Sequence, residues 1–148
     1  MKIFVFDMDG VTVDLYGVDG WLEMLRSENP LPYQIAKPLV DMAELREVLL
    51  ALKAKGNKIV ITSWLSKGAS RAYDNEVRKA KKEWLDRYAF PYDELHFQKY
   101  GTTKANATRK YKGVFQILTD DNAKIRAGWS LGATIDGSQD FISILKTF

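Results

Sequence analysis

Five short apolar runs punctuate the chain, at Lys2–Phe6, Lys58–Thr62, Glu94–Gln98, Val114–Thr119 and Ala133–Ile135. Several lack the apolar–polar alternation of a half-exposed strand, which predicts strands covered on both faces. Between them the period changes to that of a helix. Over Met42–Lys55, Leu45, Val48, Leu49 and Leu52 form one apolar stripe, with Asp41 as the cap, Glu44 completing a capping box, and Gly56 and Asn57 as the stop. A second helix is predicted over Ser70–Tyr88, with Val77, Trp84, Leu85 and Tyr88 on its buried side. Thr103 is placed to cap a third helix through Lys110, Asn122–Gly128 reads as a fourth, and Asp140–Phe148 as a last short one. Strands alternating with helices predict an α/β fold: a single Rossmann-like domain, residues 1–148, with a parallel sheet of about five strands between helical layers.

Residues 14–38 break this rhythm. They carry Trp21, Leu22 and Leu25, then Pro30, Pro32 and Pro38. This reads as a short helix followed by a proline-braced loop, a small insert expected above the strand tips.

Composition narrows the function classes. A hydrophobic fraction of 46% with 7 Phe, 7 Tyr and 4 Trp is ample for one core. The net charge of +3 is mild and lacks the concentrated stripe of a dedicated nucleic-acid binder. Arg78, Lys79, Lys81 and Lys82 form a basic run, but Glu76, Glu83 and Asp86 beside it suggest a solvated helix face. The absence of cysteine removes disulfides, thiol catalysis and cysteine-held metals. Asp7 and Asp9 interrupt the only apolar run near the start, which argues against a signal peptide, and no apolar stretch approaches the roughly 20 residues of a membrane span. A soluble cytoplasmic protein is the expectation.

Chemistry concentrates at the strand tips. Lys2–Gly10 is an apolar strand delivering Asp7 and Asp9 into a glycine turn. Alternate strand residues share a face, so the two carboxylates are expected to project together, as a hard-cation site. Thr62 and Ser63 end the second strand, Lys104 opens the segment after the third, and Asp120 and Asp121 end the fourth. Open α/β sheets place ligands at these carboxyl ends.

With these residues in place, the chain resembles the haloacid dehalogenase-like superfamily of phosphohydrolases. Asp-Met-Asp-Gly-Val is similar to its first motif, Ile-Val-Ile-Thr-Ser to its second, Lys104 to its third and Thr-Asp-Asp to its fourth. The resemblance implies a Rossmann-like sheet with the first strand central, a Mg²⁺ cofactor and an aspartyl-phosphate intermediate. Asp14 after the first motif, and Thr-Asp-Asp, are similar to the 5′-deoxyribonucleotidase branch, from which the much shorter cap departs.

The expected roles follow from phosphoryl chemistry. Asp7 is the candidate nucleophile, and Asp9 the acid for the leaving oxygen and base for water. Thr62 and Ser63 would bind the substrate, Thr62 through a hydroxyl donated to a phosphoryl oxygen, and Lys104, preferred over Lys99, would neutralise charge. Mg²⁺ would take Asp7, the backbone carbonyl of Asp9, and one of Asp120 and Asp121, with Asp120 favoured on strand alternation. The expected reaction is hydrolysis of a small phosphomonoester, a nucleoside monophosphate first. Alternatives are a phosphatase for nucleic-acid ends, which is the one way nucleic acid enters as a partner, and a phosphate-binding module without turnover. Trp64, Trp21 and Tyr33 are candidates to stack on a flat group, and His96 is expected to be structural.

Overall fold

The computed structural model describes Met1–Phe148. In chain order its elements are β1 (Ile3–Phe6), β2 (Val13–Asp14), α1 (Trp21–Arg26), α2 (Leu31–Ile35), β3 (Lys37–Pro38), α3 (Met42–Ala54), β4 (Lys58–Trp64), α4 (Arg71–Arg87), β5 (Glu94–Gln98), a 3₁₀ turn (Lys104–Ala107), β6 (Gln116–Asp120), α5 (Ala123–Ala127), β7 (Gly132–Asp136) and α6 (Phe141–Leu145). The five long strands form one parallel sheet in the order β5-β4-β1-β6-β7, with β1 at the centre. This is the α/β Rossmann-like arrangement that the strand pattern predicts.

The two faces of the sheet differ. Phe4, Phe6, Ile59, Ile61 and Ile117 pack with Leu45 and Leu49 of α3, Val77 and Trp84 of α4, and Phe141 and Leu145 of α6. On the other face, Ile3, Val5, Val60 and Leu118 meet only Tyr111, Val114, Ile125 and Trp129. The third layer is therefore thin.

Local chemistry sets the helix ends. Asp41 Oδ1 accepts from Glu44 N at 3.0 Å, so α3 is capped. The reciprocal half of the expected capping box is not made, because the Glu44 carboxylate pairs instead with Lys146 Nζ at 2.6 Å. Gly56, at φ +85°, turns the chain out of α3.

Two expectations are corrected. No α-helix covers Thr103–Lys110; only Lys104–Ala107 turns, as 3₁₀, and Thr103 makes no side-chain cap. That segment offers just two alanines to a core, too little apolar surface to hold a helix by packing. In the insert, the proline-braced stretch contains the helix Leu31–Ile35, with Pro32 in its first turn where a missing N–H costs nothing. The insert leaves and returns through the antiparallel pair β2–β3, which aligns Val13 with Pro38 and Asp14 with Lys37.

Candidate active site

The register of the sheet builds the site. Phe6 lies opposite Ile61 of β4 and Thr119 of β6, so the next row across the sheet is Thr62–Asp7–Asp120. Asp7 N still donates to Thr119 O at 3.1 Å, which keeps Asp7 in that row. Lys104 reaches the row from the 3₁₀ turn. Its buried Nζ lies 2.7 Å from Asp7 Oδ1 and 2.8 Å from Asp120 Oδ2. Lys99, the rival, is exposed and lines a different cavity.

Asp121 completes the cluster. Carboxylate oxygens of Asp7, Asp120 and Asp121 lie within 4.8 Å of one another. Strand alternation was expected to turn Asp121 away, but β6 ends at Asp120, where Asp120 Oδ1 accepts from Asn122 N at 2.9 Å and bends the chain. Gly10, at φ +81°, makes the approach possible, since a Cβ there would collide with the Asp121 carboxylate. Both Asp120 oxygens are engaged, one by Lys104 and one by Asn122 N. Asp121 is the less occupied carboxylate of the two.

One lysine is shared by these carboxylates, and the electrostatics register the shortage. Burial, then the charges of Asp7 and Asp120, push Asp121 up to about 6. Asp120 is also raised, by burial and by Asp7, against the pull of Lys104. Burial would lower Lys104, but Asp7 and Asp120 together raise it. An oxygen-only donor set with surplus negative charge fits a hard divalent cation such as Mg²⁺.

Asp9 lines the same cavity as Asp7 but takes a different partner. β1 ends at Phe6, so strand alternation no longer governs Asp9. Its Oδ2 instead pairs at 3.0 Å with Lys81 Nζ of α4, and its carboxylate stands outside the Asp7–Asp120–Asp121 group. Burial raises Asp9, Lys81 opposes this, and Asp7 adds to it.

Lys81 is the residue that reading the sequence in charge blocks misses. It is 1% exposed, not solvated as the basic run suggested. The helical period was the available signal, because Lys81 follows Val77 by four and precedes Trp84 and Leu85 by three and four, on the buried stripe of α4. Thr62 and Ser63 lie at the end of β4, beside this cluster. Both are fully buried and neither lines the cavity beneath the insert. Thr62 Oγ1 donates to Gln98 Oε1 at 3.1 Å, and Ser63 Oγ accepts from Lys81 Nζ at 2.7 Å.

The cavity above Asp7 has a volume of about 310 Å³. Asp7, Asp9, Lys104, Asp120 and Asp121 form its floor, and Tyr16, Trp21 and Tyr33 of the insert face Trp64 and Tyr100 across it. The insert is fastened to α4: Trp84 Nε1 donates to Ala36 O at 2.8 Å, Tyr73 OH to Asn29 O at 3.0 Å, and Ser70 Oγ to Glu28 Oε1 at 2.7 Å. Asp14 accepts from Gly17 N at 3.0 Å and serves a turn. His96, opposite Thr62 on the edge strand β5, pairs with Glu94.

The parallel sheet with central β1 is a Rossmann-like α/β fold, with acidic residues at the tips of β1 and β6. Among solved structures, that of D,D-heptose 1,7-bisphosphate phosphatase from Burkholderia thailandensis matches with a TM-score of 0.56 and 13% identity, over 100% of each chain. This likeness carries the fold and does not extend to the 5′-deoxyribonucleotidase branch. No protein-family model and no curated protein sequence matches the chain. No helix is long and apolar enough to cross a membrane.

Proposed function

We propose that this protein is a Mg²⁺-dependent phosphatase for a small phosphomonoester, working through an aspartyl-phosphate on Asp7. The observation that carries the reading is Lys104 held between Asp7 and Asp120 at a strand-tip cluster that remains short of positive charge. A haloacid dehalogenase-like fold shared with a solved sugar-bisphosphate phosphatase supports it.

Asp7, Asp121 or Asp120, and the backbone carbonyl of Asp9 would hold the ion. When bound, it would supply charge neutralisation for the phosphoryl oxygens. In the first step an Asp7 oxygen bonds to phosphorus, the ester P–O bond breaks, and Asp9 gives its proton to the leaving oxygen. In the second, water bonds to phosphorus while Asp9 takes its proton, and the Asp7–phosphorus bond breaks. Lys104 orients Asp7 and offsets charge on the transferring group.

The aromatic walls above this floor suit a flat substituent, which supports a nucleoside monophosphate as substrate. A second reading, a phosphatase for nucleic-acid ends, has its own support. An open cavity of about 580 Å³, with Lys124 and Trp129, adjoins the first across Trp64 and Tyr100. Both readings are tested by phosphate release from nucleotides, sugar phosphates, an aryl phosphate and a 3′- or 5′-phosphorylated oligonucleotide. The expected result is release that needs Mg²⁺, stops with chelator and is absent in Asp7→Asn. A preference for the oligonucleotide that disappears with modest salt selects the second reading. No release from any ester, with Mg²⁺ still bound, sinks both in favour of a phosphate-binding module.

A further inference from the structure

The phosphatase reading assigns a task to Asp9 but not to the buried ammonium beside it. Lys81 Nζ has three protons and three acceptors: Asp9 Oδ2 at 3.0 Å, Ser63 Oγ at 2.7 Å and Trp64 O at 2.8 Å. The Tyr33 ring of the insert covers the same nitrogen, 5.0 Å from its centroid. A buried lysine is costly, and a helix facing a sheet could have carried leucine here. What the lysine contributes is direction. Ser63 and Trp64 belong to β4, so they anchor the ammonium to the sheet, and the ammonium then grips one oxygen of Asp9. The other oxygen, Oδ1, is buried and has no hydrogen-bond partner. An orphaned acceptor next to a reaction floor marks a group reserved for something that is not yet there.

We propose that Lys81 is a positioning residue: through the Ser63–Lys81–Asp9 chain it fixes Asp9 by Oδ2 and leaves Oδ1 free as the atom that passes protons. This inference rests on the phosphatase reading above. On it, the proton given to the leaving oxygen departs from Oδ1 and the proton taken from water returns there, while the Lys81 contact to Oδ2 persists through both steps. Ser63 thus acts two contacts away from the substrate, which is why a hydroxyl at the end of β4 has a use although it is sealed from the cavity.

The test compares wild type, Lys81→Met, Asp9→Asn and the double variant on two esters, an alkyl phosphate and 2,4-dinitrophenyl phosphate. kcat/KM is the quantity read, because it covers the first bond cleavage. A poor leaving group needs the proton and a good one does not. Lys81→Met is expected to lose about 100-fold on the alkyl ester and less than about fivefold on the aryl ester. The double variant should match Asp9→Asn to within about twofold, since the two residues act as one unit. Equal losses on both esters, or losses that multiply, overturn the proposal and leave Lys81 a structural residue. Should Lys81→Met fail to fold, Ser63→Ala replaces it: a smaller loss with the same dependence on leaving group is expected, and a uniform loss overturns. A crystal structure of the folded variant decides the matter without turnover. Asp9 displaced from its place supports the positioning role, and Asp9 unmoved ends it. Absence of phosphate release from the wild type would instead defeat the phosphatase reading, with the crystallographic result still standing for or against Lys81.

Discussion

Two regions of the same sheet carry charge clusters of opposite character. Along the β4–β5 edge, Glu94 accepts from Lys110 at 2.7 Å and from the Tyr111 hydroxyl, and pairs with His96 at 3.0 Å, while Lys58 lies 3.6 Å away. Burial alone would raise Glu94, but the hydrogen bonds from Lys110, Tyr111 and His96 bring it to about 2. At the carboxyl ends, Asp7, Asp9, Asp120 and Asp121 share Lys81 and Lys104, and Asp9, Asp120 and Asp121 are all raised. A carboxylate with more donors than it needs is finished structure. Carboxylates with too few are a site awaiting charge from outside.

Asp7→Asn would break the comparison most severely. Phosphate release is expected to fall by at least about 1,000-fold, while the unfolding midpoint moves by no more than about 4 °C, since Lys104 keeps Asp120. Appreciable turnover in a steady-state assay would remove Asp7 as nucleophile. Lys104→Met is expected to cost about 3–5 kcal/mol in chelator, because it leaves three crowded carboxylates without their cation, and Mg²⁺ should recover much of that loss. Thermal unfolding with and without Mg²⁺ reads this directly, and a variant indifferent to the ion would contradict the cluster's role.

Glu94→Gln probes the satisfied cluster and should cost about 2 kcal/mol at neutral pH without touching turnover. The sign in pH follows from a lowered carboxyl. Its stabilisation is complete above the ordinary value of 4.5 and disappears as pH falls through about 2. Urea unfolding of the variant should therefore be flatter between those values than that of the wild type; parallel curves would dismiss the assignment. Asp121, raised to about 6, has the opposite sign, so its charged form weakens the fold as pH rises from 3.8 through 6. Asp121→Asn should accordingly raise the midpoint slightly at pH 7 in chelator and shrink the gain from Mg²⁺. A lowered midpoint with an undiminished Mg²⁺ gain would leave Asp120 as the sole carboxylate of β6 that matters.

Much of this was legible in the residues, for identifiable reasons. Strands covered on both faces must be apolar at their centres, so the runs Ile3–Phe6 and Ile59–Ile61 announce themselves, and a strand tip ending in Asp-Asp has no packing purpose. Direction was less legible. Period-two reasoning brought Asp9 to the same cavity as Asp7, but it turned Asp121 away from Asp120, and there it failed because β6 ends at Asp120. Lys81 was hidden among Arg78, Lys79 and Lys82, whose shared charge outweighed the different helix face that each occupies. Glu44 was assigned to its own helix when a residue from the far end of the chain, Lys146, held the stronger claim.

The ribbon of Val13–Asp14 against Lys37–Pro38 has an architectural consequence. The chain steps away from the sheet and back at one place, where the β2–β3 pair closes the excursion, while Asn29, Tyr33 and Ala36 dock it against α4. The entropic cost of such a closed loop grows merely with the logarithm of its length. Segments of quite different length could then be closed between β2 and β3 at little extra entropic cost, provided that the contacts of Tyr33 and Ala36 with α4 are kept.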